Sequence, residues 1–397
     1  MIDGLRIIFV IKSIQGWVGG REYFENLIYT LGNLAHQKQA INISIFSNEE
    51  LSPHIQPFIS NVYTHKDLHP ESFTERITWK INRYLSNDDD PNFDSFLKRE
   101  KFDTIYPYYS HDKRPKPYRS AAWIPDFQHK HLPEFFTKSE LRFRDKSFSE
   151  ITSNAEKVIL SSEVAQADCH QYFPDSIGKT CVLPFRSIPR DEWYQGDPIK
   201  IQKKYNLPVK FLLVSNQFWK HKNHLLLFKS LQLLQKQSIF PIIVCTGGLH
   251  DYRDPDYSNQ LLSYIHELGV SDQVKILGLI PKIDQLQLIR RSIAVIQPSL
   301  FEGWSTIIEN VRCFGKPMIV SDLPVHIEQD VPNSILFNRY SAEQLAESIS
   351  GYWGNLSPGP DLKREDEARI QQQVLIDEFG KNILDIFTLN KTQLLES

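Results

Sequence analysis

The sequence offers little support for a secreted, membrane-spanning or nucleic-acid-binding protein. Its four cysteines are scattered without a CxxC pair, which is typical of buried or unreactive thiols in a reducing cytoplasm. No apolar run approaches the roughly 20 residues that span a bilayer, and the first residues lack the pattern of a signal peptide. The net charge of −3 argues against bulk nucleic-acid binding, which needs a clearly basic surface. We therefore expect a cytoplasmic protein that contacts a membrane at most peripherally, at its inner face.

The signature of a dinucleotide cofactor is missing as well. The loop after the first apolar run contains Gly16, Gly19 and Gly20, but not in the order GxGxxG. A Gly-Gly pair at a helix start still lets the backbone approach a substrate closely. The alternative interpretation is an ordinary turn between a strand and a helix. We predict no dinucleotide cofactor.

Apolar runs alternate regularly with helical patterns, which predicts parallel sheets covered by helices. With 397 residues, the chain is too long for one compact core. The predicted strands cover residues 7–11, 43–46, 104–106, 121–124, 157–160, 211–214, 241–245, 274–276, 294–297 and 317–320. The predicted helices cover residues 21–34, 222–237, 257–268, 284–291, 305–314 and 363–390, and further helices are expected within 52–102.

A stretch without periodicity, marked by Pro184, Pro189, Pro198 and Pro208, predicts a linker between the two halves. The fold prediction is therefore α/β, with two Rossmann-like domains. We place the first domain in residues 1–190, the second in 200–365, and a C-terminal helical segment in 366–397.

The most informative segment covers residues 298–309. An apolar run before it predicts a buried strand, and a tight loop leads to Ser305 or Thr306 as the N-cap of a helix. Glu302 and Glu309 then flank a helix start at the carboxyl end of a parallel strand, where ligands of open α/β sheets bind. Helix starts favour phosphate, and ionised carboxylates accept hydrogen bonds from sugar hydroxyls. The combination predicts a nucleotide-sugar site. The alternative is an ordinary helix with acidic residues in its first turn.

This segment resembles the signature of retaining glycosyltransferases of family 4, which have the two-domain GT-B fold. The resemblance implies that Glu302 contacts hydroxyls of the donor sugar and that Glu309 binds the ribose. It also implies that four successive backbone amides hold the diphosphate, those of Gly303, Trp304, Ser305 and Thr306. The family has seven residues between its two glutamates, whereas this chain has six, and the missing residue lies in the phosphate-binding turn.

A second segment, residues 214–223, follows the first strand of the second half and carries cations that would neutralise a departing nucleoside diphosphate. The family has an arginine six residues before a Lys-Asn or Lys-Gly pair. This chain keeps Lys222 and Asn223 but has Asn216 at the arginine position. Lys220 is the candidate substitute, although an ammonium lacks the bidentate fork of a guanidinium. The alternative is a solvated basic loop.

A third segment, residues 123–136, resembles the family's loop that contacts the transferred sugar or the acceptor hydroxyl. Asp126 matches the family's His-Asp pair, but Pro125 stands where the family has the histidine. His129 is the nearest imidazole that could replace it; a structural role for this histidine is the alternative. Binding of a metal by His129 and His131 is disfavoured, because no further ligand cluster is evident.

Weaker matches extend the resemblance. Ile280 lies in a loop that matches the family's nucleobase-recognising backbone, and residues 321–328 match the continuation after the signature. The resemblance implies that Gly19 and Gly20 lie near the diphosphate and the acceptor. In the other large glycosyltransferase fold, GT-A, a DxD motif binds a metal. The run 88–90 (Asp-Asp-Asp) does not follow an apolar strand, so we favour a solvated loop and expect no metal.

A basic cluster in the first half could contact anionic lipid or a phosphorylated acceptor, or form a solvated loop. Its members are Lys113, Arg114, Lys116 and Arg119. Taken together, the sequence predicts a metal-independent retaining enzyme that moves a hexose from a nucleoside-diphosphate sugar to a glycan or lipid-linked acceptor. Assembly of a bacterial surface polysaccharide, such as lipopolysaccharide, is the expected setting. An inactive nucleotide-sugar-binding protein and a sugar-nucleotide epimerase remain the alternatives.

Overall fold

The computed structural model describes residues 4–11, 18–37, 41–68, 91–111 and 115–388. The chain forms two compact units. The first contains Met1–Asp126, Arg142–Ile188 and Ile376–Ser397, and the second contains Phe127–Leu141 and Pro189–Leu375. The break at Ile188 lies within the proline-marked stretch. Residues 127–141, which we had placed in the first domain, group with the second unit.

The first unit contains a seven-stranded parallel sheet in the order β3-β2-β1-β4-β5-β6-β7. Its strands are β1 (Leu5–Val10), β2 (Ile41–Phe46), β3 (Ile59–Tyr63), β4 (Thr104–Tyr106), β5 (Arg119–Ile124), β6 (Lys157–Leu160) and β7 (Thr180–Val182). Its described helices before residue 173 are α1 (Val18–Gln37), α2 (Pro91–Glu100), α4 (Lys138–Asn154) and α5 (Glu163–Tyr172). The short helix α3 (Gln128–His131) belongs to the second unit.

The edge strands β3 and β7 were not predicted. β3 is largely exposed and mixes polar with apolar residues, so the region 52–102 gave no strand signal. The helices expected there are borne out within the described part by α2 and by two short 3-10 helices, Gln56–Phe58 and His65–Leu68, and residues 69–90 lie outside it.

The second unit contains a six-stranded parallel sheet in the order β10-β9-β8-β11-β12-β13. Its strands are β8 (Leu212–Ser215), β9 (Ile243–Thr246), β10 (Val274–Gly278), β11 (Val295–Gln297), β12 (Met318–Ser321) and β13 (Ser334–Phe337). Its other helices are α6 (Asp191–Gln195), α7 (Pro198–Lys204), α8 (His224–Gln235), α9 (Tyr257–Glu267), α10 (Lys282–Arg291), α11 (Thr306–Arg312), α12 (Pro324–Gln329) and α13 (Ala342–Asn355).

Both faces of this second sheet are buried. Leu212 and Val214 of β8 point into one apolar cluster, and Leu213 points into the other, because successive side chains alternate across a strand. A strand covered on both faces is a continuous apolar run, which explains why β8, β9, β11 and β12 were predictable from the sequence. The edge strand β13, in which only Phe337 is buried, was not predicted. The strand order is that of a doubly wound Rossmann-like sheet, with its switch point between β8 and β11.

The last helix, α14 (Leu362–Thr388), starts in the second unit and ends in the first. Within the first unit, the Phe387 carbonyl accepts a hydrogen bond from Thr104 Oγ1 at 3.1 Å. The Phe387 ring lies 5.5 Å from the Tyr106 ring. The C-terminal part of this helix, from Ile376 onward, thus groups with the first unit.

Candidate functional site

The loops that follow β8 and β11 meet at the switch point of the second sheet. β8 pairs with β9 on one side and with β11 on the other, so the chain leaves β8 and β11 in opposite directions. A crevice forms at the carboxyl ends of such a strand pair, and open α/β sheets bind ligands there. Two of the three predicted segments, 214–223 and 298–309, lie in these loops.

The Glu302 carboxylate collects three hydrogen bonds on one oxygen. Lys222 Nζ lies 2.6 Å from Oε1, Ser299 Oγ lies 2.7 Å and Gln297 Nε2 lies 2.8 Å from it. The Glu302 side chain is 9% exposed. Among the described residues, none donates a hydrogen bond to the second oxygen, Oε2. The carboxylate is therefore fixed through one oxygen, and the other can accept hydrogen bonds from a ligand.

The two predicted lysines occupy different environments. Lys222 lies at the end of a short 3-10 turn, Lys220–Lys222, and reaches Glu302. Lys220 Nζ instead pairs with Asp254 at 2.6 Å. Lys222 is therefore the cation that contacts Glu302, whereas Lys220 is paired with Asp254, and its role at the arginine position stays a prediction.

Asn216 is connected to Glu302 through Gln297, a residue that we had not predicted. Asn216 Nδ2 donates to Gln297 Oε1 at 2.9 Å, and both residues are buried. Gln297 ends the predicted apolar strand 294–297 and precedes Pro298, where the signature begins. A polar residue at the end of a buried strand was the available signal.

The start of α11 is more closed than the resemblance implied. Ser305 is the N-cap residue, but its side chain caps no amide. The Ser305 amide donates to Gln329 Oε1 at 3.1 Å, and Ser305 is 1% exposed. In this state the Ser305 amide is therefore occupied by the protein, while Gly303 and Thr306 are half-buried and Trp304 is buried.

Glu309 lies inside α11 and is fully buried, with 0% exposure. Its Oε1 accepts from Gln329 Nε2 at 3.1 Å and lies 3.8 Å from Arg312 Nε. Gln329 Nε2 also donates to the Ser305 carbonyl at 3.2 Å. Glu309 is thus tied to the turn before its own helix.

The third predicted segment is divided between the units. Asp126 ends the first stretch of unit one and is half-buried, whereas His129 lies in α3 of unit two and is buried. Burial gives weight to the structural interpretation of His129.

Arg253 anchors this segment and was missed by the sequence reasoning. Its guanidinium lies 5.0 Å from the Trp219 ring and 5.5 Å from the Phe136 ring. It donates to Gln128 Oε1 at 3.1 Å and pairs with Asp251 at 3.1 Å. Arg253 follows no motif, so only the folded chain reveals that it joins residues 127–141 to the loop after β9.

The remaining predicted positions lie on other elements. Gly19 and Gly20 belong to the first turn of α1 in unit one, so that helix starts earlier than predicted. Ile280 lies between β10 and α10, and Gly278 before it has φ +68°. The Gly278 carbonyl accepts from the Gly247 amide at 2.8 Å, which fixes the backbone of the predicted nucleobase loop.

Three histidines surround the site without carrying charge. Burial lowers the pKa of His326 to about 4 and that of His224 to about 3, and it lowers the pKa of His221 well below its usual range. His326 Nδ1–H donates to the Ser321 carbonyl at 3.0 Å. At neutral pH, these imidazoles are neutral, and Lys222 supplies the positive charge next to Glu302.

The basic cluster of the first unit is only partly described. Lys113 and Arg114 lie outside the described residues, as does the run 88–90. Lys116 pairs with Asp94, and Arg119 donates to the Phe387 carbonyl at 3.4 Å. Within the described part of the chain, no group of His, Cys, Asp and Glu could hold a metal ion. No described helix is long and apolar enough to cross a bilayer.

Comparison with known proteins places this geometry in context. Residues 197–352 match the sequence model of the family described as Glycosyl transferases group 1. This match contains Lys222, Gln297, Glu302 and Glu309. No curated protein matches the chain by sequence.

Solved structures share the whole fold. A glycosyltransferase from Rickettsia africae superimposes with a TM-score of 0.67 at 16% identity, covering 97% of this chain and 98% of that one. HepE of Anabaena, in complex with UDP and glucose, gives 0.65 at 17% identity, covering 97% and 100%. Sucrose-phosphate synthase from Thermosynechococcus elongatus gives 0.65 at 14% identity, covering 99% and 100%. The chain resembles the group 1 glycosyltransferases and has the GT-B fold.

Proposed function

We propose, from the match of residues 197–352 to the group 1 glycosyltransferases, that this protein is a glycosyltransferase with a nucleotide-sugar donor. The observation that carries the proposal is the Glu302 carboxylate at the switch point, held by Lys222, Gln297 and Ser299. HepE, which is similar in fold, is described in complex with UDP-glucose. A donor of this class is consistent with an oriented carboxylate beside a cation.

In the proposed reaction, Oε2 of Glu302 accepts hydrogen bonds from hydroxyls of a hexose. Lys222 and the amides of 303–306 contact the diphosphate, where positive charge stabilises the leaving group as negative charge develops on it. To hold the diphosphate, the Ser305 amide has to exchange Gln329 for phosphate oxygen. Family resemblance supports retention at the anomeric carbon, with the donor phosphate helping to deprotonate the acceptor hydroxyl and no obligatory metal.

The acceptor in this proposal is a glycan or a lipid-linked glycan, and the setting is assembly of a bacterial surface polysaccharide in the cytoplasm. The GT-B neighbours include WaaG, a glycosyltransferase involved in lipopolysaccharide biosynthesis. Peripheral membrane contact through the basic cluster of the first unit belongs to the same proposal.

A second candidate is a protein that binds nucleotide-sugars without transferring the sugar. Asn216, in place of the family arginine, is bonded to Gln297, and Lys222 is bonded to Glu302, so positive charge at the phosphate position is limited. A sugar-nucleotide epimerase is the third candidate, and it would act with no acceptor present.

Incubation of the purified protein with radiolabelled UDP-, GDP-, dTDP- and ADP-sugars separates these candidates. Transfer to an added glycan or slow hydrolysis to free sugar is expected for at least one donor. Binding of a donor without transfer or hydrolysis would favour the second candidate, and isomerised donor without acceptor would favour the third.

A further inference from the structure

Three polar side chains form a directed chain of hydrogen bonds that ends on Glu302. Asn216 Nδ2 donates to Gln297 Oε1 at 2.9 Å, and Gln297 Nε2 donates to Glu302 Oε1 at 2.8 Å. We propose that Asn216 and Gln297 are positioning residues that fix which oxygen of Glu302 faces the donor sugar. The inference rests on the proposed function, because it assigns a donor sugar to the carboxylate.

The direction of this chain follows from the chemistry of its end. An ionised carboxylate only accepts hydrogen bonds, so Gln297 has to present its NH2 group to Glu302. Its carbonyl oxygen then faces the opposite way, where it needs a donor, and Asn216 supplies one. Gln297 is 0% exposed, so bulk water cannot replace either partner. Asn216 and Glu302 therefore favour the same orientation of the Gln297 amide, and this amide is one of the three donors that hold the carboxylate through Oε1.

The backbone holds Asn216 in place. A Cβ atom added to Gly247 would lie 2.1 Å from the Asn216 carbonyl oxygen, so the loop after β9 packs directly against residue 216. Gly247 has φ +131°, a conformation that L side chains rarely adopt. At the other end, Ser299 Oγ and Lys222 Nζ share Oε1 with Gln297. The carboxylate is thus held at Oε1 from three directions and is open at Oε2.

The chain replaces charge with dipoles. An arginine at position 216 would add a second cation beside Lys222, whereas two amides orient Glu302 without adding net charge. The neighbouring cations do not replace the charge of that arginine, since Lys220 pairs with Asp254 and Arg253 pairs with Asp251. Among the described cations of the loops that follow β8 and β11, Lys222 alone donates a hydrogen bond to Glu302. The Asn216–Gln297 pair keeps this carboxylate oriented when Lys222 turns toward the diphosphate.

Asn216→Asp tests the direction of the chain. A carboxylate at position 216 accepts only, so Gln297 has to turn its NH2 group toward residue 216 and its carbonyl toward Glu302. Two acceptors then face each other, and we expect kcat/KM to fall about tenfold, since a buried acceptor loses its partner. Asn216→Leu removes the bond without reversing it, and a loss of about threefold is expected. Gln273→Leu is the control, because Gln273 is a buried amide of the same unit that bonds the Pro241 carbonyl, and it should leave kcat/KM unchanged while it lowers the thermal midpoint.

A double-mutant cycle separates positioning from general damage. If residue 216 acts through Glu302, Asn216→Asp should lower kcat/KM less than about twofold in a Glu302→Gln background. Losses that multiply fully in the double variant would overturn the inference.

Binding provides a readout that needs no turnover. Calorimetry with UDP against UDP-glucose, and GDP against GDP-mannose, should show that Asn216→Asp weakens the sugar nucleotide about tenfold and the plain nucleotide less than twofold. Equal weakening of both would overturn the positioning role while leaving the proposed function intact. No binding of any UDP-, GDP-, dTDP- or ADP-sugar by the unmodified protein would defeat the proposed function, and this inference with it.

Discussion

Glu302 and Glu309 are the two acidic residues of one motif, and each accepts a hydrogen bond from a glutamine amide. Their surroundings nevertheless differ. Glu302 lies in a loop, is partly exposed and leaves one carboxylate oxygen without a described protein donor. Glu309 lies within a helix, is fully buried and is bonded through Gln329 to the turn that precedes the helix.

This difference teaches that a shared motif does not give its members equal access to a ligand. Glu302 can meet a sugar hydroxyl as it stands. Glu309 is fully buried, so the surrounding turn has to open before it can bind a ribose. We therefore expect substitutions of Glu302 to act mainly on activity and substitutions of Glu309 mainly on stability.

The largest effect on turnover is expected from Glu302→Gln. The amide keeps the shape of the side chain but loses the charge that pairs with Lys222 and accepts from the donor sugar. Turnover or donor affinity should fall at least tenfold, measured as kcat/KM in the transfer assay. Unchanged kinetics with an unchanged thermal midpoint would contradict the role assigned to Glu302.

Lys222→Met should reduce kcat/KM about tenfold, because the leaving diphosphate loses a cation and the Glu302 carboxylate loses its counter-ion. Lys220→Met is the matched control. Its ion pair with Asp254 is more exposed than the pair of Lys222 with Glu302, and exposed ion pairs contribute about 0–1 kcal/mol to stability. Equal losses in the two variants would show that general positive charge, rather than Lys222, is required.

Glu309→Gln is expected to reverse the pattern. Gln329 loses a charged acceptor in a fully buried site, which should reduce the free energy of unfolding by about 1–3 kcal/mol. Thermal denaturation should show a lower midpoint, together with a smaller loss of kcat/KM than in Glu302→Gln. A variant with an unchanged midpoint and the larger kinetic defect would break the comparison between the two glutamates.

The smallest expected effect concerns pH. Burial lowers the pKa of His326, which lies near Glu302, from 6.5 to about 4. The unfolded chain binds this proton below pH 6.5 and the folded protein does not, so stability should fall as the pH drops from 6.5 to 4. In His326→Asn, the drop of the thermal midpoint between pH 6.5 and pH 4 should be smaller by a few degrees than in the unmodified protein. An identical pH dependence in the variant would show that the imidazole is not kept neutral by folding.

The sequence predicted the central strands β8, β9, β11 and β12 of the second sheet because they are buried and form continuous apolar runs. It missed the partly exposed edge strand β13. Lys222 and Glu302, which both follow such strands within a motif, contact each other in the structure, and their predicted roles stay predictions. The sequence could not predict the edge strand β3, whose side chains are mostly exposed. Gln297 and Arg253 escaped prediction for a different reason, because their partners come from distant parts of the chain. The closed turn at Ser305 depends on Gln329 in another helix, which no local pattern encodes.

The central claim is that Glu302 receives the donor sugar. Its most direct test is a crystal structure of the protein soaked with UDP-glucose or GDP-mannose. The account predicts a sugar hydroxyl within hydrogen-bond distance of Glu302 Oε2, about 2.6–3.2 Å, and a phosphate oxygen beside Lys222. A sugar nucleotide bound elsewhere, with the Glu302 carboxylate still contacting only Lys222, Gln297 and Ser299, would contradict it.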